Sequence, residues 1–385
     1  MDAKRKLILT MSLKNKITIE TAAILLLLFS SCSTSSTKVN DAPITQIKVD
    51  VKQQDAYEHF FKKEYKAIPL ETSDSFLIGK ISKIQLINNC IYVFDKEQKK
   101  IYAFDAKGFF IREYCHIGQG EGEYPYLSDF EVYNKHLYLL SRANKCIFQY
   151  TLDDQFVKKI NLNEWYEAFH FLDEKRVLLY SNKSNNVLYN IVEFNCQQKQ
   201  VENKYFPFKR NENFSLYYPV FHEASDNELL LIQPYDYSVY TMQEKGPQIL
   251  CTFFFNTVDK IPDDMDNIPL NQLHTMLRGK SVIKSFDWIT RKDSILYASY
   301  ILDYRPYLIR VNLNTNTTYN TILEDSEEYP FAFLTPSIYW QGNIVSICDA
   351  VDVLMFTETS FPSDKNPDGL LHEDDNPVIF IRELK

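Results

Sequence analysis

Short runs of apolar and aromatic residues, each bounded by polar turn residues, recur along most of the chain. The clearest set is Asn89-Cys-Ile-Tyr-Val-Phe-Asp95, then Lys100-Ile-Tyr-Ala-Phe-Asp105, then Lys107-Gly108-Phe109-Phe110-Ile111. Runs of this length, rich in β-branched and aromatic residues and separated by tight turns, predict consecutive antiparallel strands. The unit returns at 136–141, 145–150 and 155–160. Fainter copies lie at 176–181 with 187–194, 228–233 with 237–242, 294–299 with 307–313, and 343–348 with 378–384. The equivalent positions Asp95, Ser141, Ser181, Gln233, Ser299 and Cys348 are 40 to 66 residues apart, the spacing of propeller blades built from four antiparallel strands.

The two ends of this pattern complement each other. The last blade, from strands near 331–339, 343–349 and 378–384, is one strand short, while Tyr65–Glu71 stands spare before the first blade. Pairing them closes the ring and removes an exposed edge. Pro69 fits an edge strand, where its missing N–H costs nothing. The predicted fold is all-β: a six-bladed β-propeller of four-stranded antiparallel blades over 64–385, closed by an N-terminal strand.

Residues 1–31 have a different pattern. Lys4, Arg5, Lys6, Lys14 and Lys16 precede an apolar run at 22–29 that is too short to span a bilayer. Ser30-Ser31-Cys32 follows, and small residues directly before a cysteine resemble the lipobox at which bacterial lipoproteins are cleaved and acylated. Residues 1–31 therefore read as a lipoprotein signal peptide with Cys32 as the lipidation site, the alternative being a plain secretory leader. Residues 32–63, opening Ser33-Thr-Ser-Ser-Thr-Lys38, read as a polar tether and N-terminal extension. The expected location is the cell envelope, as an outer-membrane lipoprotein facing the periplasm or the surface.

The propeller segments carry a resemblance. Gly79–Ile84, Ile91–Asp95, Ile101–Asp105 with Gly108-Phe109, and above all Ile117-Gly118-Gln-Gly120-Glu-Gly122-Glu-Tyr124 followed by Asp129-Phe130, resemble the six-bladed β-propeller lipoproteins of the Bacteroides group, which are relatives of NHL-repeat propellers. The resemblance is sharp over about 65–162. It implies a fold and an envelope location, and no reaction.

In a propeller, the loops between blades and the loops joining the second and third strand of each blade emerge on one face, where function collects. Two insertions lengthen that face. In the first, Leu270, Leu273 and Leu277 share a helical side between Pro269 and Gly279, predicting a short helix that could lie across the face. The second, 357–377, is rich in Asp, Pro, Ser and Asn and reads as irregular. Glu123, Tyr124, Trp165, Tyr217, Tyr218, Tyr235, Tyr304 and Arg305 fall on the same face, and aromatic platforms beside charges suit a glycan, a peptide or an envelope protein partner. Gly118, Gly120 and Gly122 lack the flanking strand and helix of a phosphate loop and read as an inter-blade turn.

The expected role is a binding module. The alternative is a metal-dependent lyase or hydrolase in which His170 and His222, opening the inner strands of blades three and four, hold a metal, with Asp129 and Asp287 on neighbouring inner strands. No G-x-S-x-G, H-E-x-x-H or Walker sequence occurs, so no catalytic residue, metal or cofactor is assigned. Charge narrows the partners further. The chain carries a net −9, and residues 1–31 hold five basic and two acidic residues, so cleavage leaves −12. Such a body is no nucleic-acid binder, and its attachment to a membrane needs the lipid anchor. The six cysteines after Cys32 lie in apolar runs without C-x-x-C spacing and read as buried hydrophobes.

Overall fold

A computed structural model describes residues 45–385 apart from 185, 209–218, 257, 263–267, 269, 325, 333 and 358–359. The leader, Cys32, Tyr217 and Tyr218 lie outside the described residues. The described residues form six antiparallel blades arranged in a ring, a β-propeller. Blade one is Ile81–Ile87, Cys90–Asp95, Lys100–Asp105 and Phe110–Tyr114, paired in that order from the inside outward. Blades two to five begin on their inner strands at Asp129–Tyr133, Ala168–Phe171, Phe221–Glu223 and Phe286–Lys292, and blade six at Ile338–Trp340.

Local chemistry shapes each hairpin. Asn88-Asn89 and Asn134-Lys135 adopt positive φ (53° and 60°; 43° and 61°) in the two-residue turns between first and second strands. Paired left-handed residues match the twist of the flanking strands, and asparagine tolerates that conformation best after glycine.

Six apolar clusters fill the six gaps between neighbouring blades. Phe94 and Ile101 of blade one meet Phe130 and Leu139 of blade two, and so on around the ring. The last gap is of the same kind: Ile68, Val345 and Ile379 of blade six pack with Ile84, Val93 and Phe104 of blade one. Burial in these wedges, at roughly 25 cal/mol per Å² of apolar surface, holds blade to blade.

The outermost strand of blade six comes from the other end of the chain: Phe61–Pro69 pairs antiparallel with Val378–Leu384, with Pro69 opposite Val378 and Tyr65 opposite Arg382. Gly108 fastens its end, accepting from Glu71 N at 2.8 Å.

The folded body begins upstream of the expected boundary at 64. Thr45–Val49 adds a fifth, parallel strand to the outside of blade four, pairing with Cys251–Phe255. Ile47 and Val49 are buried while Gln46 and Lys48 are exposed. Five residues of alternation inside a polar stretch are too short a pattern to predict a strand. From there the chain crosses blade five, where Asp55 N donates to Asn320 O, Asp55 Oδ2 accepts from Asn320 N, and the Tyr57 hydroxyl donates to Ile322 O.

The first insertion contains the predicted helix, at Leu270–Leu277, with Gly279 at φ +72° just beyond it. The second is irregular over its described residues, as expected. A helix, Ala350–Thr357, lies just before it, and its Ala350 and Val353 pack with Phe361, Leu371 and Phe380. Ala-Val-Asp-Val-Leu-Met-Phe has no clear 3.6-residue period, so sequence gave no helical signal there. The six cysteines are all free thiols; Cys146, Cys251 and Cys348 are buried.

Candidate functional site: the central channel

The innermost strands of the six blades surround a cavity of about 610 Å³. Its wall is mixed. Phe221 and Tyr339 supply partly exposed rings, the buried Phe94, Phe169 and Trp288 lie behind the wall, and Lys83, Asp129, Glu131, His170, His222, Glu223 and Asp287 supply titratable groups. Alternation along the inner strands explains the composition: on Asp129–Tyr133 every second residue turns inward, which puts Asp129 and Glu131 in the channel and leaves Phe130 and Val132 in the inter-blade core.

These groups are linked across blades. Lys83 Nζ of blade one lies 2.7 Å from Asp129 Oδ1 of blade two and donates to Phe130 O at 2.8 Å. Asp129 Oδ2 accepts from Phe169 N of blade three at 3.0 Å. Glu131 accepts from Phe171 N at 3.3 Å, and His170 Nδ1 stands 3.5 Å from Glu131 Oε1. His222 Nε2 is 3.2 Å from Pro219 O. Asp287 Oδ2 is buried and has no hydrogen-bond partner among the described residues.

Removal from water governs the ionisation of the channel. Burial raises the Glu131 carboxyl well above its ordinary range; Lys83 opposes this, and the charges of Asp129 and Glu223 add to it. Glu223 is exposed into the channel, and its pKa is also raised, with Lys83 opposing. Burial lifts Asp287 to about 6 and pushes His170 and His222 down to about 4, so both imidazoles are neutral at physiological pH.

The rim is built from the loop face. Glu167, Tyr180, Asn182 and Lys96 line the mouth. Arg142 pairs with Glu167, and the Trp165 ring lies beside it, with Lys145 Nζ 4.9 Å from the ring centre and the indole N–H donating to Ser184 O at 3.1 Å.

The residues read from sequence separate into two groups. His170 and His222 both line the channel. Glu123, Trp165, Tyr235, Tyr304 and Arg305 lie outside its lining. Tyr124 has no exposed surface: its hydroxyl accepts from His116 N, and its ring packs between blades one and two. Glu123 turns back on its own loop to accept from Gly120 N at 2.8 Å, and a Cβ on Gly118 would fall 2.0 Å from its carboxylate. The glycine-rich segment is thus an inter-blade turn shaped around Glu123. Tyr235, at φ +62°, donates its backbone N–H to Lys284 O. Tyr304 is fully exposed at the tip of a two-residue turn with Asp303, next to the exposed Arg305.

Sequence reasoning passed over Lys83, Glu131 and Glu223. The available signal was a charged residue at the inward position of a strand whose other positions are apolar, as in Asp-Phe-Glu-Val-Tyr.

A six-bladed propeller with a roomy, polar central channel is the class of protein these features define. Within it, residues 44–383 match the family described as a domain of unknown function, DUF4934, and the chain belongs to that family. A Bacteroides fragilis protein named as a candidate exported protein has the same fold, at 18% identity and a TM-score of 0.71, covering 89% of this chain and 100% of that one. A Bacteroides vulgatus member of the DUF4221 family superposes at a TM-score of 0.53 and 10% identity, over 85% of this chain and 97% of the other. No curated protein gives a significant sequence match.

Proposed function

We propose that this protein is an exported, envelope-tethered binding protein that takes its ligand into the central channel through the loop face. The ligand is a glycan fragment, a peptide or a projecting segment of a partner protein. The observation that carries this reading is the channel itself: about 610 Å³, walled by all six blades, with aromatic rings and polar groups in one lining. That volume lies in the range of small-molecule sites, and rings with a few fixed polar groups are what such sites use to hold and orient a ligand. Export is supported by the leader-like pattern of residues 1–31 and by the similar B. fragilis protein; tethering rests on the lipobox-like Ser30-Ser31-Cys32.

The rival enzyme reading has two histidines in the channel to support it. Among the described residues, no three His, Cys, Asp or Glu side chains converge as a metal-holding group.

Filling the channel tests the proposal. Ala168 lines the cavity on the inner strand of blade three, and an Ala168→Trp variant places an indole there. Peptide and glycan libraries screened against the wild type and this variant should give ligands that bind only the wild type, with both proteins melting cooperatively. Ligands indifferent to the indole would refute a channel site.

A further inference from the structure

We propose that the channel selects a ligand carrying a positively charged amine or guanidinium group, which enters to meet Glu131, Glu223 or Asp287 on its wall. This deepens the channel-binding reading and rests on it. The lining contains five carboxyl side chains and two lysines. Both lysines are occupied elsewhere: Lys83 holds Asp129 and the Phe130 carbonyl, and Lys96 stacks over the Tyr126 ring at the rim. Glu167, also at the rim, is met by Arg142.

Glu131, Glu223 and Asp287 remain. None has a lysine or arginine within ion-pair distance among the described residues, and the nearest candidate cation, His170 beside Glu131, is held neutral by burial. Glu131 is 5% exposed and Asp287 has an orphaned, buried oxygen. A carboxylate taken out of water loses solvation that a neutral hydroxyl cannot replace, whereas a bound cation replaces it with charge-assisted hydrogen bonds. Phe221 and Tyr339 stand partly exposed in the same lining to receive the organic part of such a ligand and the face of its cationic head. Two observations thus agree on the chemistry: the sign of the unpaired groups and an aromatic wall around them.

The raised pKa values add a direction. All three carboxyls gain charge as pH rises, with Asp129, Lys83 and the two neutral histidines facing them, so a cation should bind better near neutrality than in acid.

The test uses the mature full-length protein and five probes: methylguanidinium, 1,5-diaminopentane, N-acetyl-Gly-Arg-Gly-amide, N-acetyl-Gly-Lys-Gly-amide and the neutral citrulline counterpart of the arginine peptide. Titration calorimetry near pH 7.5 and near pH 5 is the readout. At least one cation should bind, and a cationic peptide should exceed the citrulline peptide by about tenfold or more. That preference should shrink near pH 5 and vanish in a Glu223→Gln, Asp287→Asn double variant that melts like the wild type. Equal binding of arginine and citrulline peptides, abolished by Ala168→Trp, would overturn charge selection and leave the channel as a binding site. Binding of no cation at millimolar concentration would overturn charge selection too, with the library screen on Ala168→Trp deciding the channel reading separately.

Discussion

The Lys83 ammonium is bonded to the Asp129 carboxylate at 2.7 Å, and the other oxygen of that carboxylate holds Phe169 N at 3.0 Å, so one side chain ties together the inner strands of three blades. Asp129 is 5% exposed. An Asp129→Ala variant leaves the Lys83 ammonium and a buried N–H without their acceptor, at a cost of about 2–4 kcal/mol. Urea unfolding should show this loss, and Lys83→Met should also destabilise, because it leaves the buried Asp129 carboxylate without its cation. Asp129→Ala within about 0.5 kcal/mol of wild type would mean the tie does not hold the blades.

Gly108 tests the attachment of the N-terminal strand to blade one. It sits at φ +87°, and a Cβ there would lie 2.3 Å from Pro69 O. Gly108→Ala should therefore destabilise by about 2 kcal/mol or more, from both the disfavoured backbone and the collision. The midpoint of chemical unfolding reports it, and an unchanged midpoint would show that the Pro69 end is loosely held.

The channel predicts a pH signature of its own. Asp287 has its folded pKa raised to about 6, so between the unfolded value and 6 the folded state holds the extra proton and stability falls as pH rises. The penalty above pH 6 is of order 3 kcal/mol. His170 and His222 act with the opposite slope: with folded pKa values near 4, they contribute stability above the unfolded histidine value that is lost as pH falls toward 4. Asp287→Asn should thus raise the melting temperature near pH 7.5 and leave it almost unchanged near pH 4. An equal shift at both pH values would mean that the gain does not come from ionisation.

The anchor is tested outside the propeller. Cys32→Ser should move the protein from the membrane fraction to the soluble fraction. Retention in the membrane with normal leader processing would contradict lipidation at Cys32.

Blade architecture was readable because the strands state their own period. Ile91–Asp95 and Ile101–Asp105 are short, aromatic and bounded by turn residues, and repetition at blade spacing left one closed arrangement. Thr45–Val49 was hidden because only two of its residues are apolar, and its parallel pairing to Cys251–Phe255 is a contact no local pattern encodes. Ala350–Thr357 was hidden for the converse reason, being apolar without a helical period. The site was half legible. His170 and His222 stood out as inward histidines, and Asp129 and Asp287 as inward acids. Trp165 and Tyr304 drew attention to the rim because loop aromatics look like ligand platforms. Tyr124 shows why that inference fails singly: a loop tyrosine can be wholly consumed by inter-blade packing. What sequence could not supply is the count of partners in the channel, which depends on six strands converging from across 260 residues.

The most direct measurement is the position of a bound ligand. A crystal structure with any ligand that emerges from the peptide, glycan and cation screens should show its density inside the channel, within hydrogen-bonding reach of Glu131, Glu223 or Asp287. Density confined to the outer loop face around Trp165 and the Tyr304–Arg305 turn, with the channel holding only water, would contradict the account.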